Sequence, residues 1–205
     1  PVVFWEYVRD VAVAANEAGI KPTVVSNGFI NEKALRDVLP LLSAIKVDLK
    51  SFRDEFYRKQ VRGELEPVLR SLQIIKESGV WLEIVVLLIP TLNDSAAEVR
   101  DLCSWVRSKL GSDVPVHFTR FHPTYRLTDL PPTPVASLER AWEIGHDAGL
   151  NFVYLGNLPG HPGENTNCPG CGEILIRRVG YRILSNRLVK GSCPDCQRSI
   201  PGVWS

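Results

Sequence analysis

Apolar positions along this chain alternate between two periods. From Glu6 to Ala18 the residues Val8, Val11, Ala12, Ala15 and Ala18 recur at helical spacing and Gly19 supplies a stop, so the chain is expected to open in a helix. Thr23 to Ser26 is a β-branched run before Asn27-Gly28, after which Asn31 can cap a helix carrying Ala34, Leu35, Val38 and Leu39 that ends at Pro40. A second strand is predicted over Ala44 to Leu49 and a short polar helix over Phe52 to Arg58. Pro67 then opens a helix with Val68, Leu69, Leu72 and Ile75, ended by Gly79. Val80 to Ile89, almost uniformly apolar, reads as a third strand. Asn93-Asp94 is expected to cap the helix whose face is Val99, Leu102, Cys103, Val106 and Leu110. Val114 to Phe121 is a fourth strand, and Thr133-Pro134 is expected to cap a helix with Leu138, Ala141, Trp142, Gly145 and Ala148 on its face. Phe152 to Leu155 makes a fifth strand.

Strand and helix alternate throughout, and continuously apolar strands need cover on both faces. The class is therefore α/β with a parallel sheet, either a βα barrel or a doubly wound sheet, and the intervals between strands suit a barrel. From Gly156 to Gly170 the composition turns to Gly, Pro, Asn and His, which places a boundary near residue 160 and divides the chain into 1–160 and 161–205.

Composition excludes several alternatives. At 205 residues, 44% hydrophobic and 23% charged, the chain is neither disordered nor fibrous. Its longest apolar run, Ile84 to Pro90, falls far short of the roughly 20 residues that span a bilayer, so a cytoplasmic location without membrane contact is expected. There is no Met, even at position 1, and the chain is expected to be an N-terminally truncated piece lacking its first strands. Net charge is +1; residues 163–205 carry six Lys/Arg against three Asp/Glu, leaving −2 elsewhere. That bias is weak, and the arginines near the C-terminus are interleaved with no aromatic except Tyr181, so nucleic acid is not the expected partner.

Four of the five cysteines form two knuckles, Cys168-Pro-Gly-Cys171 and Cys193-Pro-Asp-Cys196, with 21 residues between them. This spacing predicts one tetrathiolate site, with zinc as the default ion and iron in a rubredoxin-like centre as the alternative. The segments Ile174 to Ile176, Val179 to Leu184 and Arg187 to Val189 are expected to form a small ribbon having only the metal for a core. Cys103, on an apolar helix stripe, reads as a buried core thiol.

In parallel βα folds the C-terminal strand ends share one side, where function collects. Those ends carry Ser26, Asn27 and Gly28; Asp48 and Lys50; Asn93 and Asp94; His122; and Asn157. Asp48 and Lys50 alternate on one strand and so face one side, an acceptor and a cation suited to a ligand with hydroxyls and a carboxylate, or else a salt bridge closing the strand. His122 could bind a ligand or move protons, or pack its loop. His117, inside an apolar strand, reads as a core residue, and the side taken by Glu83 is left open. No catalytic residue is singled out.

Taken together, Val25-Ser-Asn-Gly-Phe-Ile, Lys46-Val-Asp-Leu-Lys-Ser-Phe, Ile89-Pro-Thr-Leu-Asn-Asp-Ser and Phe118-Thr-Arg-Phe-His-Pro resemble a radical S-adenosylmethionine (SAM) enzyme. The opening Pro1-Val-Val-Phe-Trp-Glu-Tyr fits the same pattern. Leu127-Thr-Asp-Leu-Pro-Pro-Thr-Pro and Gly156-Asn-Leu-Pro-Gly-His-Pro-Gly-Glu-Asn-Thr, followed by the knuckles, resemble the AmmeMemoRadiSam-system type, related to pyruvate formate-lyase activating enzymes. The resemblance implies a partial (β/α) barrel followed by a zinc-ribbon or rubredoxin-like module. It implies a full-length enzyme that reductively cleaves SAM at a [4Fe–4S] cluster to give a 5′-deoxyadenosyl radical, directed at a partner protein, with flavodoxin or ferredoxin as electron donor. Ser26, Asn27, Asp48, Lys50 and His122 then fall where such enzymes contact SAM and substrate. The sequence contains no CxxxCxxC, so the cluster ligands are expected outside it and this chain alone is expected to be inactive. Two rivals stay open: a non-catalytic barrel with a zinc ribbon acting as scaffold or partner-binding module, and an aldolase-like barrel using Lys50 as a Schiff-base nucleophile.

Overall fold

A computed structural model of the chain describes residues 2–204; Pro1 and Ser205 lie outside the described residues. It divides into two compact units, 1–85 and 86–205. The boundary expected near residue 160 is where parallel strands give way to an antiparallel ribbon, whereas the two units divide inside a strand.

In the first unit α1 (Trp5–Glu17), β1 (Thr23–Ser26), α2 (Glu32–Val38), β2 (Ala44–Asp48), α3 (Asp54–Phe56) and α4 (Leu65–Ser78) lead into β3 (Trp81–Leu88). β1 lies parallel to β2, pairing Ser26 with Val47, and β2 lies parallel to β3, pairing Asp48 with Val85. The core holds Leu35, Ile45, Val47, Val68, Leu72, Ile75, Leu82 and Ile84. Asn31 caps α2 as expected, its side chain accepting from the Lys33 N–H at 2.9 Å. α4 begins two residues before Pro67, because the Asp54 carboxylate accepts the Leu65 N–H at 3.1 Å and so satisfies an amide the helix leaves open. Val11, expected inside, is exposed, while Ala12 is the buried residue of α1.

The second unit begins with the last residues of β3 and continues through α5 (Ala96–Lys109), β4 (Val116–Arg120), α6 (Val135–Asp147) and β5 (Val153–Gly156), with β4 and β5 parallel neighbours. All five apolar positions predicted for α5 are buried, Cys103 among them. α6 approaches β5 at Gly145, where a Cβ would stand 2.8 Å from a Val153 methyl. β6 (Thr166–Asn167), β7 (Ile174–Val179) and β8 (Arg182–Asn186) form a three-stranded antiparallel ribbon. The run predicted as one strand from Val179 is split at Gly180 and Tyr181, where Gly180 takes a positive φ of 56° and turns the hairpin. The ribbon also has more than a metal for a core. Leu175, Ile176 and Ile200 pack with Cys168, Cys193 and Phe152, a residue at the foot of β5. Among the described residues no helix is long and apolar enough to cross a membrane.

Candidate functional site

At the end of β1 the chain folds back on its own side chains. Ser26, almost fully buried, accepts the Gly28 N–H on Oγ at 3.1 Å, and Asn27 Oδ1 accepts the Phe29 N–H at 3.1 Å. These are the local bonds by which Ser and Asn stabilise turns. Gly28 is required twice over: its φ is +71°, and a Cβ would stand 2.8 Å from Val47 Cγ1. Ser26 and Asn27 are thereby locked beside the end of β2, the neighbouring parallel strand.

At that end Asp48 and Lys50 form the pair that their alternation predicts, with Nζ 2.9 Å from Oδ2. Their side chains remain 31% and 37% exposed, so the pair faces solvent and contributes little to folding by itself. Just past β2 the Leu49 N–H donates to Val85 O of β3 at 2.9 Å. The next N–H, that of Lys50, donates to the hydroxyl of Tyr57 at 3.0 Å. Tyr57 is only 2% exposed, and burial, reinforced by the charge of Asp48 and opposed by the Lys50 bond, pushes its phenol up to about 12.

In the second unit His122 follows β4 and is exposed, held by the backbone around it. Phe121, its buried neighbour, donates its N–H to Thr133 Oγ1 at 2.9 Å and accepts the Thr133 N–H at 3.1 Å. Thr133 in turn donates its hydroxyl to Leu88 O at 2.6 Å. Thr133 therefore does not cap α6, as its place before Pro134 suggests; its hydroxyl is committed to two other strand ends, and Pro134 stands at the cap without a side-chain bond. Asn93 and Asp94 likewise are not the caps of α5. Ser95 is, accepting the Glu98 N–H in the Ser-x-x-Glu pattern. Asn93 is buried and ties the end of β3 by donating to Leu87 O at 2.9 Å and accepting the Ile89 N–H at 2.6 Å. Asp94 accepts the N–H of Thr91, whose φ is +69°. His117 stacks on Tyr154 with centroids 4.9 Å apart, and Glu83 accepts the Trp81 indole N–H at 3.0 Å.

The four knuckle cysteines converge. Their sulfurs all lie within 4.8 Å of one another and none forms a disulfide. Cys168 and Cys196 sulfurs are 3.5 Å apart, and those of Cys171 and Cys193 3.7 Å. A tetrahedron with metal–sulfur bonds of ~2.3 Å has edges of ~3.8 Å, so the set fits a tetrathiolate ion. The knuckles repeat each other's backbone: Gly172 N–H donates to Cys168 O at 2.8 Å and Gln197 N–H to Cys193 O at 2.9 Å. Burial acts to raise the Cys168 thiol, but amide donors from Gly170 and Cys171 and the nearby sulfurs outweigh it and bring it down to about 7. At Cys171 the Glu173 amide works downward, while burial and three neighbouring sulfurs prevail and push that thiol up to about 12. One thiolate forms readily and discourages the next, so four together call for a cation. Arg187 binds Asp195 of the second knuckle through two contacts, 2.9 and 3.0 Å, and Glu173 beyond the first at 3.3 Å, clamping the knuckles from outside.

Residues 1–103 match the sequence profile of the radical SAM superfamily. This chain belongs to that superfamily. An uncharacterized protein of Methanocaldococcus jannaschii is 43% identical over 202 residues, which is 98% of this chain and 60% of the relative's length. The (2S)-3-sulfopropanediol dehydratase activating enzyme of Klebsiella oxytoca is 21% identical over 114 residues, 56% of this chain and 36% of that enzyme. Among solved structures, a domain of the pyruvate-formate lyase-activating enzyme from Bacteroides vulgatus superposes with a TM-score of 0.68 at 16% identity, covering 77% of this chain and 94% of that one. The parallel α/β architecture is thus the radical SAM fold, and it carries a four-cysteine metal site near its C-terminus.

Sequence reasoning found Ser26, Asn27, Asp48 and Lys50 at adjacent strand ends and the four cysteines at one point. It missed Tyr57 as the partner of the Lys50 amide, Arg187 as the clamp on the knuckles, and Thr133 and Asn93 as the groups that tie the ends of β3 and β4. A capping box at Ser95 and Glu98 was visible in the sequence; the bonds of Thr133 and Tyr57 had no local signal.

Proposed function

We propose that this chain is the SAM-binding and substrate-directing portion of a radical SAM enzyme of the AmmeMemoRadiSam type that acts on a partner protein. The observation that carries the proposal is the pairing of Asp48 with Lys50 at the end of β2, beside the locked Ser26-Asn27 turn of β1, within the segment that matches the superfamily. Four polar side chains on two adjacent strand ends offer acceptors and a cation to a ligand that bears an amino acid carboxylate and ribose hydroxyls. Asp48 would accept from hydroxyl or ammonium donors, and Lys50 would face a carboxylate. SAM, when bound at a [4Fe–4S] cluster supplied by a CxxxCxxC segment and reduced by a flavodoxin- or ferredoxin-class donor, supplies radical chemistry. What these residues do is orient the ligand and hold charge against it. The activating enzymes among the similar proteins support a protein substrate. We assign zinc to the four cysteines, as the staple that completes a ribbon most of whose apolar residues stay exposed.

The test is SAM binding by the full-length protein. Asp48→Ala and Lys50→Ala should each remove a charge-assisted bond of about 1.5 to 3 kcal/mol, about 10- to 150-fold in Kd, with little change in melting temperature. Unchanged affinity together with a lowered melting temperature in both variants would mean that the pair merely closes the strand, and would favour the scaffold alternative.

A further inference from the structure

Strand β2 ends at Asp48, and two residues on the backbone meets a buried phenol. Just past β2 the Leu49 N–H still donates to a strand carbonyl, Val85 O of β3, whereas the Lys50 N–H that follows donates to the Tyr57 hydroxyl, 3.0 Å away. A backbone amide at the end of a ladder must find another acceptor or water, and the choice fixes the direction of the next residues. Lys50 is the residue whose ammonium sits 2.9 Å from Asp48.

Tyr57 is well placed to fix that direction because it is itself immobilised. It opens a π-helical turn, Tyr57–Val61, a form that occurs mostly as single-turn bulges in α-helices and is frequent at functional sites. Its N–H donates to Arg53 O at 3.3 Å and its carbonyl accepts the Gly63 N–H at 3.1 Å, across Arg62 in the left-handed region at φ 57°. Ser51, 1% exposed, accepts the Arg53 N–H at 3.0 Å and shapes the connection between Lys50 and the turn. Asp54 ties the same segment to the start of α4 through Leu65. A side chain only 2% exposed, anchored at both ends of its turn, presents one polar atom to one amide.

Resting on the assignment of Asp48 and Lys50 to SAM, we propose that the Tyr57 hydroxyl is the positioning group of that site: by accepting the Lys50 N–H it sets where β2 departs from the sheet and so holds the Lys50 ammonium against Asp48. Tyr57 touches no ligand in this proposal and acts through Lys50. Its phenol, held far above neutral pH by burial, stays protonated throughout the range in which the enzyme would work, so the bond is a fixed feature rather than a switch.

The experiment uses the full-length, cluster-reconstituted protein and reads SAM affinity by equilibrium dialysis alongside the melting temperature. Tyr57→Phe keeps the ring and removes the acceptor; SAM Kd should rise about 10-fold, the scale of a lost hydrogen bond that aligns a charged group. The decisive comparison is a double-mutant cycle. If Tyr57 acts through Lys50, Tyr57→Phe added to Lys50→Ala costs no further affinity; if the two fold-changes multiply, the positioning role is overturned. Should Tyr57→Phe fail to fold, 3-fluorotyrosine at position 57 retains shape and hydroxyl but accepts more weakly, and a loss of a few-fold is expected. Affinity within two-fold of the parent in a folded variant at position 57, with only the melting temperature lowered, would reduce Tyr57 to a structural residue. The two levels fail separately. If Asp48→Ala and Lys50→Ala both bind SAM normally, the site itself is wrong and the inference falls with it; if they weaken binding while Tyr57→Phe does not, only the inference on Tyr57 falls.

Discussion

Thr133→Val is the sharpest test of how the second unit holds its strand ends. Thr133 is fully buried, and its single hydroxyl serves two backbone groups, donating to Leu88 O at 2.6 Å and accepting the Phe121 N–H at 2.9 Å. Valine fills nearly the same volume and removes both bonds. The amide of Phe121 loses its acceptor outright, whereas the carbonyl of Leu88 loses a donor it can partly spare, so the two orphaned groups together cost about 2 to 4 kcal/mol. In a chain of this size that corresponds to a fall in melting temperature of about 5 to 15 °C. Thr133→Ser keeps the hydroxyl and loses one methyl, about 1 kcal/mol, and serves as the control. Thermal unfolding followed by circular dichroism, with both variants beside the parent, gives the comparison. If Thr133→Val melts within about 2 °C of the parent, or if the serine variant loses as much as the valine variant, the side chain is contributing volume rather than hydrogen bonds and the reasoning fails. Because Phe121 immediately precedes His122, the same substitution should broaden the NMR signals of the His122 ring as its loop loosens.

Metal analysis should find one ion per chain at the four cysteines, and Cys193→Ser should lose it and open β7 and β8 to protease while leaving the 1–85 unit protected; an ion retained at full occupancy would refute the ligand set. Gly145→Ala should destabilise by about 1 to 3 kcal/mol in chemical denaturation, since the new methyl would stand 2.8 Å from one Val153 methyl and 3.0 Å from the other; equal stability would show that α6 can move away from β5. Cys103, pushed up to about 12 by burial, should resist iodoacetamide in the native protein and react only on unfolding. Its linkage to pH has a definite sign: the unfolded thiol ionises near 9 and the folded one near 12, so stability is complete below pH 9 and falls above it by about 1.4 kcal/mol per pH unit. Cys103→Ala should flatten that decline, and an unchanged slope would assign it to other groups.

The sequence by itself determined the helices and strands of the parallel part and their order, because helical and strand periods are local properties of the apolar residues: β1 lies at Thr23–Ser26 as the β-branched run predicts, and α5 buries all five residues of its predicted stripe. The ribbon strand expected at Arg187 to Val189 is instead β6, Thr166–Asn167, ahead of the first knuckle. The sequence also determined the ligand set of the metal site, since a CxxC spacing is a constraint on a few consecutive residues, and it placed Asp48 and Lys50 on one side of a strand because the period of a strand is two. Where it went astray the partner lay elsewhere in the chain. Thr133 looks like a helix cap when only Pro134 is considered, yet its hydroxyl bonds to a carbonyl 45 residues earlier. Asn93 looks like a cap and instead ties the end of the strand that precedes it. The ribbon, expected to rest on metal alone, packs its apolar residues on Phe152. Lys50 carries no mark of the tyrosine seven residues on that fixes its amide. Burial is the common cause: once folding removes water, each amide and carbonyl at a strand end must be matched, and which hydroxyl or phenol matches it depends on which elements come to lie beside one another in space.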